Sequence, residues 1–78
     1  MQFVYLLRCC DGTIYVGCTS NIEERLKRHY NKEVRWTKDR LPVKLITYIA
    51  FGDKYKAFEF EKYLKSGSGR AFVNKRLI

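Results

Sequence analysis

The chain has 78 residues, 46% of them apolar and 15% aromatic, a composition that folds into one domain and excludes both a disordered tail and a second domain. A chain of this size buries only about 60–65% of the surface its unfolded form exposes, so its core is thin. Sixteen Lys and Arg against eight Asp and Glu leave a net charge of +8, which points to an anionic partner, nucleic acid first and an anionic membrane surface second.

The charge is clustered. Eight basic residues fall between Arg25 and Lys44, and five follow Glu61 with no acid among them. Two such segments in a compact domain can merge into one face for a phosphate backbone. Cys9, Cys10 and Cys18 have no CxxC spacing, and Cys9 and Cys10 point to opposite sides of a strand. Small buried thiols in a reducing compartment fit them better than a zinc site. Met1 leads almost directly into a strand, and no apolar run approaches the roughly 18 residues of a membrane helix. The expectation is a cytoplasmic protein without a membrane partner.

In chain order, "FVYLLRC" and "TIYVG" are β-branched and aromatic runs separated by Asp11-Gly12, a hairpin signal. Two registers are open. A two-residue turn pairs Arg8 with Tyr15 and puts Tyr5 and Tyr15 on opposite faces. A three-residue loop Cys10-Asp11-Gly12, with Gly12 in the left-handed conformation, pairs Leu7 with Tyr15 and makes the two tyrosines diagonal neighbours on one face. Ser20 followed by Glu23 reads as a capping box, so a helix is predicted from there to about Tyr30. Its inward stripe is Ile22, Leu26 and His29, with Arg25 at the stripe's edge. A polar, basic connection with room for a helical turn follows, and Pro42 opens a third strand, "VKLITYIAF". Asp53 caps a second helix from about Lys54 to Lys65. "SGSG" ends it, and "RAFVNKRL" forms a last short helix.

The second helix carries the sharpest clue. Ala57, Phe60 and Leu64 form its apolar face, and Glu61 falls within that stripe while Glu59 points to solvent. A carboxylate facing a core is costly unless it is paired or holds a metal. Two readings stand: a salt bridge to a lysine or arginine, or a ligand for Mg²⁺, which often takes one carboxylate together with water and substrate phosphate. Arg25 and His29 are ambiguous in the same way. Each can be a structural residue, yet together they offer a guanidinium fork for phosphate and an imidazole able to hydrogen-bond or move a proton. Tyr5 and Tyr15 read by themselves as strand aromatics, and an isolated tyrosine loses its proton only near pH 10.

With Tyr5 in "FVY", Tyr15 in "YVG", Arg25 ten residues later, His29 four after that, and Glu61 in "AFEFEKYLK", the chain resembles the GIY-YIG nuclease family over nearly its whole length. The first motif stands here as Phe3-Val4-Tyr5, without the glycine and isoleucine, and Cys18 follows YVG where some members carry lysine. The "SGSGRAF" segment resembles small bacterial members related to the nuclease domain of the excinuclease C subunit, a repair enzyme. The resemblance implies an α+β fold, a three-stranded antiparallel sheet flanked by helices. It also implies hydrolysis of DNA phosphodiester bonds with one Mg²⁺, for which Mn²⁺ can substitute.

Carried over residue by residue, Glu61 holds the metal, Arg25 stabilises charge on the scissile phosphate, and Tyr15 is the leading candidate to activate water. Tyr5 shares a hydrogen bond or the base role, and His29 assists. Lys27, Lys65, Arg70 and Asn74 are the substrate contacts to expect. The tyrosines must meet, which selects the three-residue loop. A bare module of this kind implies a weakly sequence-specific or structure-specific DNA endonuclease, with RNA as a further candidate substrate. The alternative is a non-catalytic nucleic-acid-binding module on the same fold. Oligomeric state is left open.

Overall fold

Strands β1 (Gln2–Arg8) and β2 (Ile14–Thr19) fold back on each other across Cys10-Asp11-Gly12 in the computed structural model, which describes residues 1–78. The loop is the three-residue form: Cys9 N–H donates to the Thr13 carbonyl at 2.9 Å, and Gly12 takes φ +85°, a backbone conformation a glycine accepts without steric cost. Asp11 Oδ1 accepts from the Thr13 amide (3.0 Å) and hydroxyl (2.6 Å) and stiffens the turn. Leu7 pairs with Tyr15 and Tyr5 with Gly17, so the register that brings the tyrosines onto one face is the one adopted. Strand β3 (Lys44–Phe51) pairs antiparallel with β1 on its other side, giving the order β2-β1-β3 with β2 at an edge.

Alternation along β1 divides the core between the two faces of the sheet. Val4 and Leu6 face α2 (Lys54–Leu64) and pack with Val16, Ala57, Leu64 and Val73. Tyr5 and Leu7 face the other way with Cys9 and Val43, and Ile22 and Leu26 of α1 (Ile22–Tyr30) close over them. All four of these β1 residues are fully buried. Cys9 is buried with Tyr5 and Leu7, and Cys10, in the hairpin loop, is exposed.

Two element boundaries differ from the sequence reading. Helix α1 is capped by Asn21, whose Oδ1 accepts from Glu24 N–H at 3.0 Å, and not by Ser20. Thr19 Oγ1 accepts from the Asn21 amide at 3.1 Å; this turn sets Asn21 one residue further along as the cap. The helix ends in a Schellman arrangement. Glu33 N–H reaches the Arg28 carbonyl and Lys32 N–H the His29 carbonyl, with Lys32 at φ +62° in the place glycine usually takes.

The second difference concerns "SGSG", which begins a helix as well as ending one. Ser66 caps α3 (Gly67–Phe72), and a π-helical turn, Val73–Leu77, continues it. Gly69 explains why the chain can turn so tightly: a Cβ there would overlap the Tyr63 carbonyl at the end of α2. No helix is long and apolar enough to cross a membrane.

Candidate active site

Tyr5, Tyr15 and His29 form one cluster on the α1 face. The Tyr5 and Tyr15 rings are 6.1 Å apart, and His29 packs edge-on to both, at 5.7 Å from Tyr5 and 5.0 Å from Tyr15. His29 is fully buried, and both its nitrogens are engaged: Nε2 with Tyr5 Oη at 2.9 Å and Nδ1 with Thr37 Oγ1 at 2.7 Å. Thr37 Oγ1 also donates to the Val34 carbonyl at 3.4 Å. We assign Nδ1–H as donor to Thr37 and Nε2 as acceptor from Tyr5, because this tautomer satisfies every group in the chain.

Burial, reinforced by Arg25, depresses the His29 pKa to about 4, so the imidazole is neutral near pH 7. Burial, then the neighbouring Tyr15, pushes the Tyr5 phenol well above its ordinary range, with Arg25 pulling the other way. Both groups are therefore held in their neutral forms and serve as a buried hydrogen-bonded pair. His29 refuses in the folded state a proton that the unfolded chain, with an ordinary value of 6.5, accepts. Stability is accordingly full above about pH 6.5 and falls as pH drops from there towards 4, by at most about 3 kcal/mol. Urea denaturation across that window checks this: the stability gap between wild type and His29→Asn should narrow as the pH falls.

Gly17, paired with Tyr5 across the hairpin, makes room for this cluster. A Cβ there would overlap the Tyr5 ring and its hydroxyl. Gly17→Ala should displace Tyr5 from His29 and lower stability by about 1–3 kcal/mol in a thermal melt, an overpacking cost.

The edge position of β2 lets both faces of the sheet contribute to one groove of about 620 Å³. Thr13, Ile14, Tyr15 and Val16 form its strand wall, Leu64 and Val73 its apolar floor, and Lys65, Arg70 and Asn74 reach it from α2, α3 and the π-helical turn. Arg25 stands at the next stretch of the same edge, half-buried, its Nη1 3.5 Å from the Cys18 carbonyl. Glu61 is half-buried, and its Oε2 accepts from Lys65 Nζ at 3.0 Å one turn along α2. Lys27 is exposed on α1 and lines neither this groove nor the smaller one near Tyr48. Tyr15, Lys65, Arg70 and Asn74 thus come together, with Glu61 joined through Lys65, while Lys27 stays apart.

No three His, Cys, Asp or Glu side chains gather closely enough to share a cation. A hard ion such as Mg²⁺ can also be held by one carboxylate completed by water and substrate oxygens, and in this structure the Glu61 carboxylate is paired with Lys65. Sequence reasoning missed Thr37 as the partner of His29 and Trp36 as a groove residue. Trp36 is the chain's single tryptophan and stands in a charged, polar segment, the one signal that could have drawn notice.

A three-stranded antiparallel sheet flanked by helices, with its candidate residues gathered at the β2 edge, makes this a small α+β domain. A family model described as "GIY-YIG catalytic domain" matches residues 1–76. The chain belongs to the GIY-YIG family. It is 45% identical over 65 residues to a UPF0213 protein of Bacillus licheniformis, covering 82% of this chain and 67% of that one. A UPF0213 protein of Clostridium perfringens is 41% identical over 66 residues, covering 83% and 71%. The solution NMR structure of the UPF0213 protein BH0048 from Bacillus halodurans superimposes with a TM-score of 0.62 at 30% identity, over 99% of this chain and 87% of the other.

Proposed function

We propose that the domain is a divalent-metal-dependent DNA endonuclease, weakly sequence-specific or structure-specific, that hydrolyses phosphodiester bonds along the β2 edge. The observation that supports this best is the groove itself, which Tyr15, Lys65, Arg70 and Asn74 line together, with Glu61 paired to Lys65 and Arg25 near the Cys18 carbonyl of the same strand. Membership of a nuclease-type family agrees with it.

Lys65 and Arg70 attract the phosphate backbone into the groove and position it without reading sequence. Arg25, at the end of that edge, offers its guanidinium to the scissile phosphate as negative charge builds there. Tyr15 is the candidate general base, its Oη taking the proton of the attacking water. Tyr5 is not free for that task, because its hydroxyl is buried and committed to His29; the Tyr5–His29–Thr37 chain positions the Tyr15 ring instead. His29 acts there by orientation and not by proton transfer, since it stays neutral and both its nitrogens are occupied. Glu61 would hold Mg²⁺, or Mn²⁺ in its place, and the bound ion would supply Lewis-acid charge to the reaction. Glu61 must turn from Lys65 to take it up, a small demand on an ion pair at the surface.

That same ion pair supports a second reading, a non-catalytic module in which Lys65 keeps Glu61 neutralised and the groove only binds nucleic acid. Incubating labelled single-stranded, duplex and branched DNA, and RNA, with Mg²⁺ or Mn²⁺ separates the two. Cutting that EDTA abolishes is the expected result. Salt-sensitive binding without cutting under either metal would leave the binding module.

A further inference from the structure

Trp36 has no part in the chemistry above, yet it stands beside Tyr15. Its ring centroid is 5.3 Å from that of Tyr15 at an angle of 40°, and the two form an angled aromatic wall along the groove. The indole is 40% exposed, too open to be explained by core packing. It is also held in place. Thr37, the next residue, is fully buried and tied to His29, so the connection cannot swing away from the site. The Arg40 guanidinium lies 4.2 Å from the indole centroid, donates to the Trp36 carbonyl, and reaches Asp11 of the hairpin turn at 3.3 Å. The Cys10 amide donates to the Arg40 carbonyl at 3.1 Å and ties the same turn to the connection.

A large aromatic surface fixed in position, left open, and bordered by cations and an apolar floor matches the requirements of a nucleobase with its phosphate neighbours. We infer that Trp36 is a stacking residue for one unpaired nucleobase of the substrate, seated in the groove against the Trp36–Tyr15 wall while Lys65 and Arg70 take the flanking phosphates. The inference rests on the nucleic-acid reading and adds to it a specific nucleotide contact. Arg40 and Thr37 are positioning residues that hold the indole in place.

Because the chain has one tryptophan beside its six tyrosines, fluorescence excited selectively at the indole reports on Trp36 alone. The test titrates the full chain with a short single-stranded DNA oligonucleotide in EDTA, following tryptophan emission together with the anisotropy of a label on the DNA. A series in which each nucleotide in turn is made abasic is titrated in parallel. Stacking should quench the emission, and Trp36→Ala should weaken binding by about five- to a hundredfold, with Trp36→Phe recovering most of the loss. One abasic position should abolish quenching and weaken binding by a similar factor, and Trp36→Ala should add nothing further on that oligonucleotide. Tight binding without quenching, with the abasic and Trp36→Ala losses simply adding, would overturn the stacking and leave the nucleic-acid reading intact. Absence of any binding to the oligonucleotides at low salt would overturn both.

Discussion

Glu61→Ala should lower the rate of DNA cleavage at least about a hundredfold, the several kcal/mol that a Lewis acid contributes, while fold and affinity survive. The physical separation of these effects follows from what Glu61 touches. Its one polar contact is Lys65, an i,i+4 partner whose side chain is 55% exposed, and such pairs contribute a few tenths of a kcal/mol. Thermal melts of wild type and variant should therefore nearly coincide. Removing the carboxylate leaves Lys65 free to contact phosphate, so DNA affinity should hold or rise, and its dependence on log salt should steepen by up to about one unit. A protein that binds as well or better and no longer cuts cannot be explained by unfolding. A variant that loses binding in step with cutting would instead place Glu61 in the grip on DNA.

Tyr15→Phe should cost about 10²–10⁴ in cleavage rate with little change in stability. Phenylalanine keeps the ring that packs against His29 at 5.0 Å and Trp36 at 5.3 Å, so the change removes one oxygen from the groove and little else. Tyr5→Phe provides the contrast. It leaves His29 Nε2 buried without its partner at 2.9 Å, at a cost of about 1–3 kcal/mol in stability. Its effect on rate should be the smaller of the two. Single-turnover kinetics beside urea melts distinguish the variants: Tyr15→Phe stable and slow, Tyr5→Phe less stable and still active. Cleavage by Tyr15→Phe at the wild-type rate would contradict the base role of Tyr15.

Much of this arrangement can be read from the chain because it rests on short periods. Strand alternation and a three-residue loop suffice to place Tyr5 beside Tyr15, and helix spacing puts Arg25 one turn before His29; the structure carries both. The register itself was open between two turns until the tyrosines were required to meet. Gly17, whose missing Cβ admits the Tyr5 ring, is the physical reason that solution packs. The Lys65–Glu61 pair was equally accessible as an i,i+4 relation, and it is the salt-bridge reading of Glu61 that the structure displays.

What escaped the sequence depends on irregular backbone. Thr37 lies eight residues from His29 in a connection with no period to exploit, so nothing local distinguishes it from other threonines. Ser20 and Asn21 are adjacent residues of equal capping ability, and only the turn made by Thr19 selects Asn21. The serine and glycine residues before Arg70 carry breaker chemistry, yet Gly69 is there because two helices approach too closely for a side chain.

The most direct measurement is single-turnover cleavage of one labelled DNA by wild type and Glu61→Ala across a Mg²⁺ titration, with binding followed in the same samples. If the β2-edge groove is a metal-dependent nuclease site, wild type cuts in a Mg²⁺-dependent manner and Glu61→Ala binds the DNA without cutting it. Equal rates from the two proteins, or equal binding with no cutting at any Mg²⁺ concentration, would contradict it.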